Sequence, residues 1–127
     1  MPRSYTGGCL CGDIRFEAVA PAEVPHTCSC TMCQRHSGAL TLAWVEFPTD
    51  AVTWTGHGGA PTLYRSLEKS SRAFCPRCGS TIGAIDDAPV VALVLGVFDK
   101  PGAAALKPVS HSHRSKRPTW WHVDIDG

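Results

Sequence analysis

The sequence predicts an all-β protein, and two observations support this fold class. Short segments in which apolar and polar residues alternate recur along the chain, as half-buried strands require. Twelve glycines and ten prolines separate these segments at intervals typical of turns. The 127 residues contain no evident linker, so we expect one domain over residues 1–127.

Six segments are predicted to form strands. In Asp13–Ala20, apolar residues alternate with charged ones, which indicates a half-buried strand. Val90–Val97 is almost entirely apolar, as in a strand covered on both faces, although periodicity alone leaves a short buried helix open. The other four predicted strands are Leu40–Phe47, Val52–Thr55, Thr62–Leu67 and Thr81–Ile85. Helical turns are predicted only for Cys30–Ser37 and Asp99–Leu106.

Composition and charge argue against several classes of protein. A formal net charge of +1 does not favour a nucleic-acid partner or an anionic membrane surface. The chain has no apolar run of about eighteen residues, so no membrane span is expected. The N-terminus, MPRSYTGGCL, lacks a basic start followed by an apolar stretch, so no signal peptide is expected. We therefore expect the protein in the reducing cytoplasm, where thiols stay free or bind metal.

The seven cysteines fall into three clusters. These are Cys9 and Cys11; Cys28, Cys30 and Cys33; and Cys75 and Cys78. An odd number of cysteines cannot all form intramolecular disulfides, and a disulfide within the first pair would close a very small, strained loop. Thiolates are also the ligands of tetrahedral zinc sites. The clusters therefore predict metal binding.

The way in which the clusters combine decides the kind of metal site. The first and last pairs each look like half of a closed four-cysteine site, and nearby glycines provide the backbone freedom for such turns: Gly7, Gly8, Gly12 and Gly79. The middle cluster then keeps three ligands and an open position, the pattern of a catalytic zinc. Two alternatives stay open. In the first, Cys30 and Cys33 join Cys75 and Cys78 in a ribbon-type site. In the second, only one zinc binds and the other cysteines are buried thiols.

Three stretches resemble a known family: GGCLCGDIRF, CSCTMCQRHSGA and YRSLEKSSRAFCPRCGSTIG. They are similar to the glutathione-dependent formaldehyde-activating enzyme family, which also includes centromere protein V. The resemblance implies a β-tent fold of packed antiparallel sheets and two zinc ions per chain. It implies a structural zinc on Cys9, Cys11, Cys75 and Cys78, and a catalytic zinc on Cys28, Cys30 and Cys33. It also implies a carbon–sulfur lyase type of reaction that joins glutathione and formaldehyde into S-hydroxymethylglutathione.

Side chains near the clusters are candidates for binding a ligand. Arg35 and His36 follow the three-cysteine cluster and are candidates for contacting a ligand carboxylate, with a structural or surface role as the alternative. Trp120 is a candidate wall of the substrate pocket, with packing on a sheet as the alternative. Arg72 and Arg77 flank the last cysteine pair, where Arg77 is expected either to offset thiolate charge or to be a solvated surface arginine.

Two classes of function follow from these observations. The first is an enzyme that joins or cleaves a small glutathione-like thiol and a small formaldehyde-like aldehyde at a three-cysteine zinc. The alternative is a non-catalytic, zinc-stabilised binding module that acts through a partner, which predicts a filled fourth ligand position. A metal buffer or thiol sensor is a third possibility. Neither a membrane nor a nucleic acid is expected as a partner.

Overall fold

The computed structural model describes residues 3–125, which form mostly β-strands. The strands of this part of the chain are β1 (Ser4–Gly8), β2 (Arg15–Val19), β3 (Glu23–Cys28), β4 (Leu42–Pro48), β5 (Val52–Trp54), β6 (Thr62–Leu67), β7 (Ser70–Phe74), β8 (Thr81–Asp86), β9 (Val90–Val94) and β10 (His111–Ser112). They build a three-stranded sheet, β1-β2-β5, and a seven-stranded sheet, β10-β3-β4-β9-β8-β7-β6. The pairs are antiparallel except β10 with β3. The all-β prediction is confirmed.

One α-helix, α1 (Thr31–Ser37), and four short 3-10 turns complete the described residues. Helix α1 confirms the predicted turn over Cys30–Ser37, with Cys30 as its N-cap. Within Asp99–Leu106, a 3-10 turn covers only Ala104–Leu106. In the described part of the chain, no helix combines the length and the apolar character needed to cross a membrane.

The six predicted strands are all present, with ends that differ by a few residues. Val90–Val97 is a strand only as far as Val94, after which Leu95–Val97 forms a 3-10 turn. Four strands, β1, β3, β7 and β10, were not predicted. Strand β3 contains Pro25 and a bulge, and β7 reads SSRAF, so neither has the alternation of large apolar residues that indicates a strand.

The hydrophobic core lies between the two sheets. Four buried aromatic rings meet there: Tyr5 from β1, Phe16 from β2, Phe47 from β4 and Phe98 from the segment after β9. The centroids of Phe16 and Phe98 lie 5.1 Å apart with their planes at 72°, the edge-to-face arrangement that aromatic pairs favour. This core covers one face of the seven-stranded sheet and leaves its other face for a site.

That other face carries a row of aligned side chains. Because side chains alternate along a strand, Glu46 of β4, Ala92 of β9, Ala84 of β8 and Arg72 of β7 follow one another across four strands in register. The two alanines in the middle of the row have small side chains, which leave space above the sheet. The row therefore forms the floor of a cleft, with long side chains at either end.

Candidate metal centres and active site

The first cysteine cluster joins the two sheets. Cys9 and Cys11 lie in the turn between β1 and β2, and Cys75 and Cys78 lie in the turn between β7 and β8. The four sulfur atoms lie within 4.8 Å of one another. Cys11 Sγ is 3.6 Å from Cys9 Sγ and 3.8 Å from Cys75 Sγ, close to the separation of about 3.8 Å that tetrahedral Zn–S bonds impose. The donor set therefore fits a zinc ion.

Glycines shape these turns in two different ways. Gly12 and Gly79 have φ angles of 83° and 81°, the left-handed region that favours glycine. Each donates its N–H to the carbonyl of the first cysteine in the adjacent pair, at 3.2 and 2.8 Å. The predicted turn role was wrong for Gly7 and Gly8, which lie in strand β1. There a Cβ on Gly7 would collide with the Phe16 ring, so close packing explains this glycine.

The four thiols of this cluster differ in acidity. Hydrogen bonds from the Ser80 hydroxyl and backbone lower the pKa of Cys78 to about 5. The backbone N–H of Asp13 favours the thiolate of Cys11, but desolvation and the neighbouring sulfurs outweigh it and raise that pKa to about 12. Sulfurs this close cannot all ionise without a compensating charge. A bound cation would supply that charge.

The second cluster is formed by Cys28, Cys30 and Cys33 on the cleft side of the seven-stranded sheet. Cys28 ends β3, Cys30 caps α1, and Cys33 lies in its first turn. The N–H of Cys30 donates to Cys28 Sγ at 3.5 Å, and the N–H of Cys33 donates to Cys30 Sγ at 3.3 Å. The three sulfurs lie within 4.8 Å of one another, with no further His, Cys, Asp or Glu of residues 3–125 in the group. This donor set fits a metal ion with an open position.

Burial and mutual repulsion also separate the acidities of these three thiols. Burial raises the pKa of Cys28 to about 12 and raises that of Cys33 as well, although Arg72 opposes the second shift. Burial also opposes ionisation of Cys30, but hydrogen bonds from the Cys33 backbone and the other two sulfurs bring its pKa below the usual value. One thiolate thus forms more readily than the others. Three thiolates together require a cation.

A cleft of about 470 Å³ opens beside this second cluster, within the range of small-molecule sites. All three cysteines line it, together with Trp44 and the two alanines of the floor. Its polar and charged lining residues are His26, Glu46, Ser70, Arg72, Asp86 and His113. The cleft therefore places a thiol-rich cluster against an apolar floor.

Arg72 lies at the three-cysteine cluster and not at the four-cysteine cluster that it neighbours in the sequence. Its Nη1 donates to Cys33 Sγ at 3.6 Å, and its guanidinium carbon lies 5.2 Å from the centroid of the Trp44 ring. Alternation along β7 turns Arg72 towards the cleft, whereas Ala73 faces the core. Arg77 is 71% exposed, with Asp13 3.9 Å away, which favours the solvated surface alternative.

The three predicted substrate-binding residues do not gather in the cleft. Arg35 and His36 line a neighbouring cavity of about 370 Å³, while Met32 and Arg72 line both cavities. The ring nitrogens of His36 are buried without a hydrogen-bond partner in the described residues, and burial and the Arg72 charge lower its pKa. Trp120 is 71% exposed and is not among the described lining residues of the cleft. Their part in substrate binding stays a prediction.

A series of hydrogen bonds connects the three-cysteine turn to the C-terminal part of the structure. The fully buried Ser29 shares hydrogen bonds of 2.8 Å with Thr41 Oγ1 and with His111 Nε2. Trp121 Nε1 donates to Thr41 Oγ1 at 2.9 Å. Trp121, and not its neighbour Trp120, is thus connected to the site. No spacing in the sequence indicates these hydrogen bonds, because they depend on the pairing of β10 with β3.

Fold and site together define a β-sheet protein with two cysteine clusters of the kind that bind metal. The chain belongs to the glutathione-dependent formaldehyde-activating enzyme family, whose model matches residues 4–116. A crystal structure of a Rhodobacter sphaeroides protein is similar to it, with a TM-score of 0.62 and 19% sequence identity. That similarity covers 84% of this chain and 99% of the other chain. At this identity it concerns the fold.

Proposed function

We propose that this protein is a carbon–sulfur lyase type enzyme that joins a small thiol and a small aldehyde, or cleaves their adduct, beside the three-cysteine cluster. The observation that carries the proposal is a set of three close sulfurs, without a fourth ligand from the described residues, at the wall of a cleft. Membership of the family makes glutathione and formaldehyde the first substrates to test. One domain and a cytoplasmic location are parts of this proposal.

Two zinc ions are proposed, one for each cluster. Cys9, Cys11, Cys75 and Cys78 would hold a structural ion, and Cys28, Cys30 and Cys33 would hold a catalytic one. When bound in the second cluster, zinc supplies a positive charge that lowers the pKa of a substrate thiol, which then reacts as a thiolate at neutral pH.

The cleft residues would orient the two reactants. Trp44 and the alanines of the floor exclude water from one side of the cleft, while the cluster positions the thiol next to Arg72. In the forward reaction, a sulfur lone pair forms the C–S bond and the π pair of the C=O bond moves to oxygen. The oxygen takes a proton from water, and the thiol proton leaves to solvent. Cleavage of the adduct is the reverse.

Exchange NMR tests the proposal directly. The zinc-loaded protein is expected to accelerate the exchange between formaldehyde, a small thiol and their adduct by at least about tenfold, a barrier change of about 1.4 kcal/mol. Cys30→Ser should abolish the acceleration because it removes one sulfur of the cluster. Lys107→Gln, at an exposed position that is neither in a cysteine cluster nor in the lining of the cleft, is the control and should retain it. If glutathione, cysteine and cysteamine all exchange at the uncatalysed rate, the proposal is wrong.

A binding module without turnover is the second candidate function. The edge strand β6 favours it, because Leu63, Tyr64 and Leu67 are 48%, 67% and 57% exposed, and an apolar sheet edge can pair with another chain. A module predicts that the fourth position of the second metal is already filled. The addition of a thiol should then leave the coordination of that metal unchanged, whereas the enzyme predicts a change.

A further inference from the structure

We infer that Arg72 binds the oxygen that becomes negatively charged when the thiol adds to the aldehyde, and that it is therefore a catalytic residue of the reaction proposed above. The inference rests on that proposed function. It goes further because it assigns the charge-stabilising group to a side chain outside both cysteine clusters.

The position of the guanidinium group is the first argument. Its Nη1 is 3.6 Å from Cys33 Sγ, so Arg72 contacts the cluster at which a substrate thiol would bind. The Trp44 ring lies 5.2 Å from the guanidinium carbon, a cation–π distance that holds the charged group in place. Trp44 is itself 4% exposed and packs with Val94 and the cysteines of the cluster. The support under Arg72 is therefore rigid.

The unused hydrogen-bonding capacity of Arg72 is the second argument. A guanidinium group has five N–H donors, yet Arg72 makes one side-chain hydrogen bond within residues 3–125, to Cys33. The arginines that hold carboxylates differ: Arg15 makes a bidentate pair with Asp99, and Arg65 makes one with Asp87. Arg72 thus retains donors for a ligand on the cleft wall.

The nearby carboxylates do not compete for these donors. Asp86, on the adjacent strand, accepts a hydrogen bond of 2.7 Å from Ser70 Oγ and makes no ion pair within the described residues. Glu46 stands in the same row as Arg72, but two alanines and three strand spacings, about 14 Å, separate them. An oxyanion formed beside the cluster would meet the guanidinium group without displacing a carboxylate.

The chemistry of the addition creates a new negative charge close to the substrate sulfur. The sulfur lone pair forms the C–S bond, the C=O π pair becomes a lone pair on oxygen, and this oxygen stands two bonds from the sulfur. Fixed donors directed at such an oxygen stabilise the transition state more than the ground state. Since the loss of one such donor typically costs about 10²–10³ in turnover, Arg72→Met should lower kcat by at least about tenfold with little change in KM.

A binding experiment tests Arg72 without any turnover. The zinc-loaded protein is titrated calorimetrically with thioglycolate and with its neutral amide, 2-mercaptoacetamide. Both present a thiol, and thioglycolate places a charged oxygen one bond farther from sulfur than the adduct does. The ratio of the two dissociation constants cancels changes in thiol affinity that the two ligands share. We expect Arg72→Met to reduce the preference for thioglycolate by about tenfold.

Two further variants separate a specific contact from general charge. Arg72→Lys keeps the charge but not the planar fork, and it should reduce the preference by about threefold. Arg65→Met removes a guanidinium group from the adjacent strand, where it is engaged with Asp87, and should leave the preference unchanged. Zinc content is measured first. If Arg72→Met releases zinc, the Arg72→Lys ratio decides the question alone.

The outcomes distinguish this inference from the proposed function. An unchanged preference in the Arg72 variants, or an equal loss in Arg65→Met, overturns the inference even if the adduct exchange is accelerated. An Arg72-dependent preference without accelerated exchange supports the anion contact and overturns the proposed reaction. If neither thiol binds the zinc-loaded protein, both are overturned.

Discussion

At the residue scale, the seven cysteines differ in what surrounds each sulfur. Cys75 is fully buried within the core that joins the two sheets, whereas Cys30 is half-buried beside the cleft. A serine at either position removes a thiolate ligand. The consequences should differ, because one cluster connects the sheets and the other lies on the outer face of one sheet.

We therefore expect Cys75→Ser to misfold or to melt at a much lower temperature, because a structural zinc site contributes directly to folding. Cys30→Ser, the matched variant in the other cluster, should stay folded and lose one zinc per chain. Metal content per chain and thermal unfolding of both variants measure the difference. A soluble Cys75→Ser protein with the melting temperature of the wild type would contradict a structural role.

Residue spacing favoured the two groups of cysteines that the structure brings together, but it also left a ribbon-type site open, and the resemblance to the family selected between them. Spacing was not sufficient for Arg72, which sequence proximity placed beside Cys75 and Cys78. The alternation of side chains along β7 directs it to the opposite face, and α1 brings Cys33 to it from 39 positions away. Contacts of this kind depend on the order of strands in the sheet, which no local pattern contains.

At the element scale, Asp99 in the segment after β9 connects that segment to β2 by an ion pair and to β1 by a hydrogen bond. Arg15 of β2 donates to both carboxylate oxygens of Asp99, and Thr6 Oγ1 of β1 donates to the same carboxylate at 2.7 Å. These hydrogen bonds lower the pKa of Asp99 to about 2. The pairing of β1 with β2 is thus reinforced by contacts that Asp99 makes only when its carboxyl group is ionised.

Because the pKa of Asp99 is depressed in the folded state, its contribution is present above the unfolded value of about 3.9 and is lost as the pH falls towards 2. The pair is partly exposed, so its contribution should stay at or below about 1 kcal/mol. Asp99→Asn should therefore lower the free energy of unfolding at pH 5 and lose this difference at pH 2. Urea unfolding of wild type and variant measures this difference at each pH, with equal zinc content in the two proteins and with the exposed Asp50→Asn as control. A constant difference at the two pH values would exclude this linkage.

Predictability from sequence also varied between elements. Asp13–Ala20 and Thr62–Leu67 were identified because their alternation or composition is typical of strands, and Thr62–Leu67 has the predicted bounds. Strand β3 was missed because Pro25 and a bulge interrupt it, yet it carries His26 and Cys28 to the cleft. Irregular strands are formed by the tertiary pairing around them and not by their own pattern.

At the scale of the whole molecule, the four-cysteine cluster connects parts of the chain that are far apart in sequence. Cys11 and Cys75 are separated by 64 positions, and the turns that contain them belong to different sheets. The strand order of the seven-stranded sheet cannot be read from hydrophobic periodicity, so the resemblance to the family, and not the pattern, gave the overall architecture. Metal binding and the stability of the whole fold should be linked.

This linkage has a defined dependence on pH. In the metal-free clusters, the pKa values of Cys11 and Cys28 are raised to about 12, so both thiols are protonated at neutral pH and must lose their protons when metal binds. Proton release on binding means that metal affinity rises with pH and falls as the solution is acidified. Acidification should therefore help a chelator to remove zinc.

We expect less chelator to be needed at pH 5.5 than at pH 7.5, with chelator strength corrected for its own protonation. At either pH, the three-cysteine cluster should lose its zinc first, because it has fewer ligands and adjoins the cleft. The melting temperature should fall mainly when the four-cysteine cluster loses its zinc, because this loss removes the link between the two sheets. Zinc content and unfolding, followed in the same chelator titration and after zinc is added back, provide the measurement. Equal resistance at the two pH values, or complete zinc removal with an unchanged melting temperature, would show that metal binding and folding are independent.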